Sequence, residues 1–159
     1  MFGRILTIFL VWRILLFVPL IIGEFFLSHR TGYDYVFPSY FGSDVHFLFS
    51  SWANFDGIYY LIISTGAYTV DNAGCFPLFP LAIGTLTSVF GPVSPFGPVR
   101  LAISLLLVSI FLAIGLNYMY KLVSIDYKKT VALWSIVFLL LFPASFFLAG
   151  IYSESLFLM

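Results

Sequence analysis

The chain has 159 residues, 62% hydrophobic and 9% charged, with seven basic and seven acidic side chains and no net charge. About a quarter of a soluble domain is charged, so a mean hydropathy of +1.08 marks an integral membrane protein. The even charge balance leaves no basic stripe for nucleic acid, and the lone Cys75 excludes an internal disulfide or a cysteine-based metal cluster.

Ile5 to Phe26 is an apolar run of 22 residues, about 33 Å as a helix and so long enough to span a bilayer. It is too long for a signal-peptide core and has no small-residue cleavage site behind it. Arg4 and the amino terminus put its start in the cytoplasm under the positive-inside rule. Arg13 lies within the run, where a charge costs about 2.5–3.5 kcal/mol. Its ordinary fates are snorkelling toward the cytoplasmic face or pairing with another helix. Glu24 falls in the last turn, at the interface.

Residues 28 to 75 form a long polar segment with Asp34, Asp44, Asp56 and Asp71, His29 and His46, and one arginine, Arg30. Its few basic residues and its place after one span put it outside. Long loops in compact proteins are usually functional. Within it, a short helix over about 56–65 is predicted to lie along the outer surface, stopped at Gly66. Phe76 to Phe90 is an apolar run of 15 residues, short of the roughly 17–25 a span needs. It is predicted as a second interfacial helix over about 78–90, entered through Pro77 and Pro80. The outer loop then reaches residue 98.

Leu101 to Tyr120 is a clean span of 20 residues. Lys121, Lys128 and Lys129, all the lysines of the protein, fall in the loop 121–129. If 76–90 crossed the membrane, this loop would lie outside and violate the positive-inside rule. With 76–90 embedded in the outer interface, the lysines are cytoplasmic and a third span, about 130–150, returns outward. The expected fold is therefore an all-α polytopic membrane domain with three transmembrane helices and two short outer-face helices. The chain stops inside an apolar run at Met159, so it is read as the amino-terminal part of a longer protein.

This topology places two acidic residues, Asp56 and Glu154, on one side. Asp56 lies in Ser51-Trp52-Ala53-Asn54-Phe55-Asp56-Gly57-Ile58-Tyr59-Tyr60. Aromatic surroundings desolvate a carboxylate, which suits a general base, and Trp52, Tyr59 and Tyr60 offer faces for a sugar ring. The competing role for Asp56 is an N-cap of the short helix. Glu154, beside Tyr152, is an ionisable residue at the end of a span, a functional candidate by default unless it merely ends the helix in water. Two carboxylates could hold a divalent cation where the fold brings them together, although His46 and the aspartates show no ligand spacing. Arg30 and Arg100, the exterior arginines, are candidates to pair with a phosphate or to anchor at the interface.

The order Asn54-Phe55-Asp56-Gly57-Ile58-Tyr59-Tyr60, Gly66-Ala67-Tyr68 and Phe76-Pro77-Leu78-Phe79-Pro80 resembles a known family. So do Phe142-Pro143-Ala144-Ser145-Phe146-Phe147 and Tyr152-Ser153-Glu154-Ser155-Leu156-Phe157. These look like the PIG-V type mannosyltransferases, the GPI mannosyltransferase II family and its prokaryotic relatives, within the class-C glycosyltransferases (GT-C). The resemblance covers the whole chain and the amino-terminal part of the family's usual length. It implies a polytopic enzyme that takes mannose from a polyprenyl (dolichyl) phosphate donor to a glycolipid or glycan acceptor on the non-cytoplasmic face, with inversion. The membrane would be that of the endoplasmic reticulum in a eukaryote and the cell membrane in a prokaryote. It also implies an essential acid in the first outer loop, matching Asp56, and a second in the next, matching Glu154. The family often has Trp before the Asp, where this chain has Phe55. The competing classes are a transporter or lipid-handling membrane protein without chemistry, and an inactive truncated piece. The former does not explain a long acidic outer loop with an Asp in an aromatic setting, or the short surface helices.

The topology makes a direct prediction: an impermeant thiol reagent added to intact cells labels a single cysteine near Asp44 and spares one near Lys128. Equal labelling at both positions would overturn the arrangement.

Overall fold

In a computed structural model, described for residues 1–26, Phe41 and 47–159, every regular element is helical. Helix α1 (Phe2–Leu15) continues as α2 (Phe17–Phe26) after a break at Leu16. Pro19 accounts for the break: it has no N–H for the carbonyl of Leu15, and its ring crowds that carbonyl. A single turn, α3 (Phe47–Ser50), leads through a 3₁₀ turn at Ser51–Ala53 to α4 (Asp56–Ile63). After a 3₁₀ turn at Val70–Asn72 come α5 (Leu78–Ser88), α6 (Pro98–Asp126) and α7 (Lys129–Leu141). A 3₁₀ segment, Pro143–Leu148, and the short α8 (Glu154–Leu158) complete the chain. Arg30, the two histidines, Asp34 and Asp44 lie outside the described residues.

Helix α6 is the axis. Gly97 and Pro98 start it, with proline at the first helical position where its missing N–H costs nothing. Its buried stripe, Leu101, Ser104, Val108, Leu112, Leu116 and Tyr120, recurs every three or four residues, the spacing of one helix face. The opposite face is apolar too: Leu106, Ile110, Ile114 and Tyr118 are exposed. Such a helix has no side suited to water. At 29 residues it is about 43 Å long. With the 22-residue stretch Phe2–Gly23, it gives two helices long and apolar enough to cross a membrane.

Two cores line this axis. One joins Ile5, Phe9 and Trp12 of α1 to Leu112, Leu116 and Tyr120 of α6 and to Ala132, Ile136 and Leu140 of α7. The other joins Leu101, Leu107 and Val108 of α6 to Tyr60, Leu61, Phe79 and Ile83 of α4 and α5, and to Ile151 and Tyr152. Helices α4 and α5 therefore pack on the first half of α6, and α1 and α7 on the second half. Chain approach is close at two glycines. A Cβ on Gly84 would lie 2.5 Å from the carbonyl oxygen of Ser64, and one on Gly115 would lie 3.0 Å from Leu158.

The run expected to cross at 130–150 is helical only as far as Leu141, 13 residues or about 20 Å. Pro143 cannot donate to Leu139, and Phe142 before it is extended, at φ −63° and ψ 136°. Ser145 Oγ donates to the open carbonyl of Leu140 at 2.6 Å, closing the helix end. At the other boundary, helix α6 runs past Tyr120 to Asp126 and absorbs most of the loop expected at 121–129.

Substituting Gly84 tests the packing. Gly84→Ala should destabilise the protein by about 1–3 kcal/mol through forced separation of α4 and α5, despite the better helix propensity of alanine. Gly3→Ala, with nothing within 4 Å of its new methyl, should not, and thermal unfolding in detergent compares the two.

Candidate active site

The stretch around Asp56 begins with a tight turn. Gly57 N donates to Asn54 O at 3.1 Å, and Phe55 adopts φ 52° and ψ −122°, the values of the first central position of a type II′ turn. Phe55 occupies the N-cap of α4, so Asp56 is the first helical residue and not the cap. An acidic side chain is favoured there by the helix dipole.

The second stretch, Ala149 to Glu154, folds onto the first. Ile151 N donates to Trp52 O at 2.8 Å, and Tyr152 Oη donates to Asn54 O at 2.7 Å. Tyr60 Oη and Ser153 Oγ are hydrogen bonded at 2.9 Å. Two glycines permit this approach. A Cβ on Gly150 would meet the ring of Tyr152 at 2.5 Å and Trp52 O at 3.3 Å, and one on Gly57 would meet Ile151 O at 3.3 Å.

Between the two stretches opens a cleft of about 390 Å³ lined by Phe55, Asp56, Phe147, Tyr152 and Glu154. Both candidate carboxylates and one candidate aromatic therefore share one cavity. Phe147 stands edge-on to Tyr152, with ring centroids 5.3 Å apart and planes at 82°, so two fixed aromatic walls flank the acids. Partial burial raises the Glu154 carboxyl above the usual range; its own backbone N–H opposes the shift and the charge of Asp56 adds to it. Burial, then the charges of Asp56 and Glu154, push the Tyr152 hydroxyl up as well and keep it a donor. Two buried polar atoms beside the acids, Asn54 Oδ1 and Ser155 Oγ, have no hydrogen-bond partner among the described residues. Groups of that kind are uncommon in folded proteins and call for an explanation.

The other sequence candidates lie elsewhere. Trp52 is buried and does not line the cleft. Tyr60 is buried, edge-on to Phe79, with centroids 5.3 Å apart, and does not line the cleft either. Tyr59 is exposed and does not line the cleft. Arg100 is buried, and its guanidinium donates to Ser64 O, Ser64 Oγ, Ser94 O and Val93 O. It ties the start of α6 to the end of α4, away from both acids. Phe147 carries no role in the sequence reading; its only signal there is its place in Phe142-Pro143-Ala144-Ser145-Phe146-Phe147. Asp56 and Glu154 are the acidic pair available to a cation, and no group of three or more metal-binding side chains occurs among the described residues.

The raised Glu154 carboxyl has a consequence for stability. The acid titrates higher folded than unfolded, so the protonated form favours the fold and ionisation costs stability as pH rises through the raised value. Glu154→Gln removes that cost. It should unfold at a higher temperature than the parent at pH 8, with the gain shrinking as pH falls through the raised value and gone below the ordinary glutamate value; a pH series of thermal melts reads this.

The family model described as Mannosyltransferase (PIG-V) matches residues 1–159. No curated protein and no solved structure matches the chain.

Proposed function

As the chain belongs to the PIG-V mannosyltransferase family, a family of membrane glycosyltransferases, we propose that it moves mannose from a polyprenyl-phosphate donor to a hydroxyl of a glycolipid or related glycan. We include in this reading a class-C glycosyltransferase fold with three spans, about 5–26, 101–120 and 130–150. It places the cleft on the non-cytoplasmic side. The observation that carries it is the cleft itself: Asp56 and Glu154, from segments nearly a hundred residues apart, face one cavity between two aromatic walls. A sugar needs both kinds of surface, apolar faces for its ring and acceptors for its hydroxyls.

In the proposed reaction Asp56 accepts the proton of the acceptor hydroxyl. That oxygen attacks the anomeric carbon as its bond to the phosphate oxygen breaks. Lipid phosphate departs with the bonding electrons, and a single displacement inverts the configuration. Positive charge develops on the sugar as in glycoside hydrolysis, and two carboxylates in one cleft stabilise it. Glu154, with its raised affinity for a proton, is suited to hold an acceptor hydroxyl or to share a cation with Asp56. Tyr152 fixes the turn that presents Asp56 through its bond to Asn54 O. Membrane lipids surround the apolar faces of α1, α2 and α6. Arg100 is committed to three backbone carbonyls and the Ser64 hydroxyl, so neutralisation of the leaving phosphate falls to other groups.

Asp56→Asn should abolish transfer of mannose from a polyprenyl-phosphate donor while leaving the amount of protein in the membrane unchanged. The loss expected for a missing general base is roughly 100-fold to 10,000-fold. Undiminished transfer would remove Asp56 from the role.

A further inference from the structure

Arg13 has a use that the cleft alone does not reveal. The side chain does not snorkel along α1. Its Nη1 donates to the carbonyl of Ala149 at 2.5 Å, and its guanidinium lies 4.7 Å from the centre of the Trp52 ring. Phe17, one turn further along, packs edge-on against the same ring, with centroids 5.5 Å apart. Trp52 is thus held by the first membrane helix on two sides. Ala149 and Trp52 belong to different stretches, and each leads directly into one of the two acids: Trp52 stands four residues before Asp56, Ala149 five before Glu154. Between them runs the backbone bond from Ile151 N to Trp52 O.

We propose that Arg13 is a positioning residue for mannosyl transfer, clamping the Asp56 stretch to the Glu154 stretch from within the first membrane helix. The proposal rests on the reading of the cleft as the transfer site. Arg13 does not line that cleft, so it acts through the two stretches and not on the sugar. The chemistry calls for arginine. A planar guanidinium donates in its plane and stacks through its face at the same time, whereas a lysine ammonium on a flexible stem cannot satisfy both contacts in one geometry. An apolar residue would also leave the Ala149 carbonyl without its donor inside an apolar setting.

The test compares Arg13→Lys and Arg13→Met with the parent protein and with Asp56→Asn, for steady-state transfer and for a contact readout that needs no activity. For the contact, Gly57→Cys is paired with Ile151→Cys in a Cys75→Ser background, and each Arg13 variant is compared with Arg13 in that same background, so the crowding of a Cβ at 57 against Ile151 O is common to both. The Cβ positions of residues 57 and 151 lie 3.7 Å apart, within the range of a disulfide. Arg13→Met should lower kcat by roughly 100-fold, the cost of a small misplacement, with KM little changed and the membrane level retained. It should also slow oxidative cross-linking of the cysteine pair. Arg13→Lys should recover part of both. Unchanged turnover in Arg13→Met, with Asp56→Asn inactive, would overturn the role of Arg13 and leave the transfer reading standing. Full turnover in both would instead remove the reading of the cleft. Lost turnover with cross-linking as fast as in the parent would also refute the clamp.

Discussion

The backbone hydrogen bond from Ile151 N to Trp52 O is the contact on which the site depends. Both partners lie in stretches that are neither long helix nor strand. Buried irregular backbone must find partners for its N–H and C=O groups within the protein or in ordered water. Here the two stretches satisfy each other. Ile151 pairs with Trp52, Tyr152 Oη with Asn54 O, Ser153 with Tyr60, and Arg13 takes the carbonyl of Ala149. The same pairing brings Asp56 and Glu154 to one cavity. The need to hide broken backbone and the need to assemble two acids have one solution.

The breaks themselves follow from particular residues. Pro143 cuts α7 after 13 residues, and without that cut the helix would carry Glu154 well past Asp56. Ser145 closes the open helix end, and Gly150 leaves room for the ring of Tyr152, which a Cβ there would meet at 2.5 Å. The short α8 then runs beside α6: Leu156 joins the core of the short helices, and Leu158 joins the core of the long ones against Gly115. Arg100 performs a matching task at the start of α6. Four hydrogen bonds to Val93, Ser94 and Ser64 fix the loop before α6 to the end of α4, holding the helix that begins with Asp56. A cation at a helix N-terminus opposes the dipole, and these acceptors compensate.

Helical class and long apolar segments could be read from composition, because a charge-poor chain of this hydropathy has few alternatives. Helix ends were legible where the residue that causes them acts locally. Gly66, at φ 90°, ends the first short helix region, and Gly97-Pro98 opens α6. The end of α7 was harder. Hydropathy averages over Pro143 as if it were any apolar residue, although the lost N–H decides the geometry there. Tertiary contacts were beyond reach. Nothing near Arg13 in sequence names Ala149, 136 residues away, as its acceptor, and nothing near Arg100 reveals that its donors are already taken. Of the candidate site, the two acids and Tyr152 share the cleft, whereas Phe147 became visible only when the second stretch folded back.

Asp56 began with two incompatible roles, helix cap and base, and the backbone separates them. A capping side chain must sit one residue before the helix and turn its oxygen back onto the N–H groups of the first turn. Phe55 holds that place, in a conformation that a residue with a Cβ adopts at a cost of order 1–3 kcal/mol. Glycine would enter the same turn freely. What glycine could not supply is the aromatic side chain that Phe55 contributes to the cleft. The strain is therefore tied to the site: it sets an aromatic wall beside Asp56 and moves the carboxylate one position into the helix, where no cap bond consumes it. The conformation persists because Gly57 N, Tyr152 Oη and Ile151 N fix the backbone on either side of it. The contacts that assemble the cleft are the ones that hold its most unfavourable residue in place.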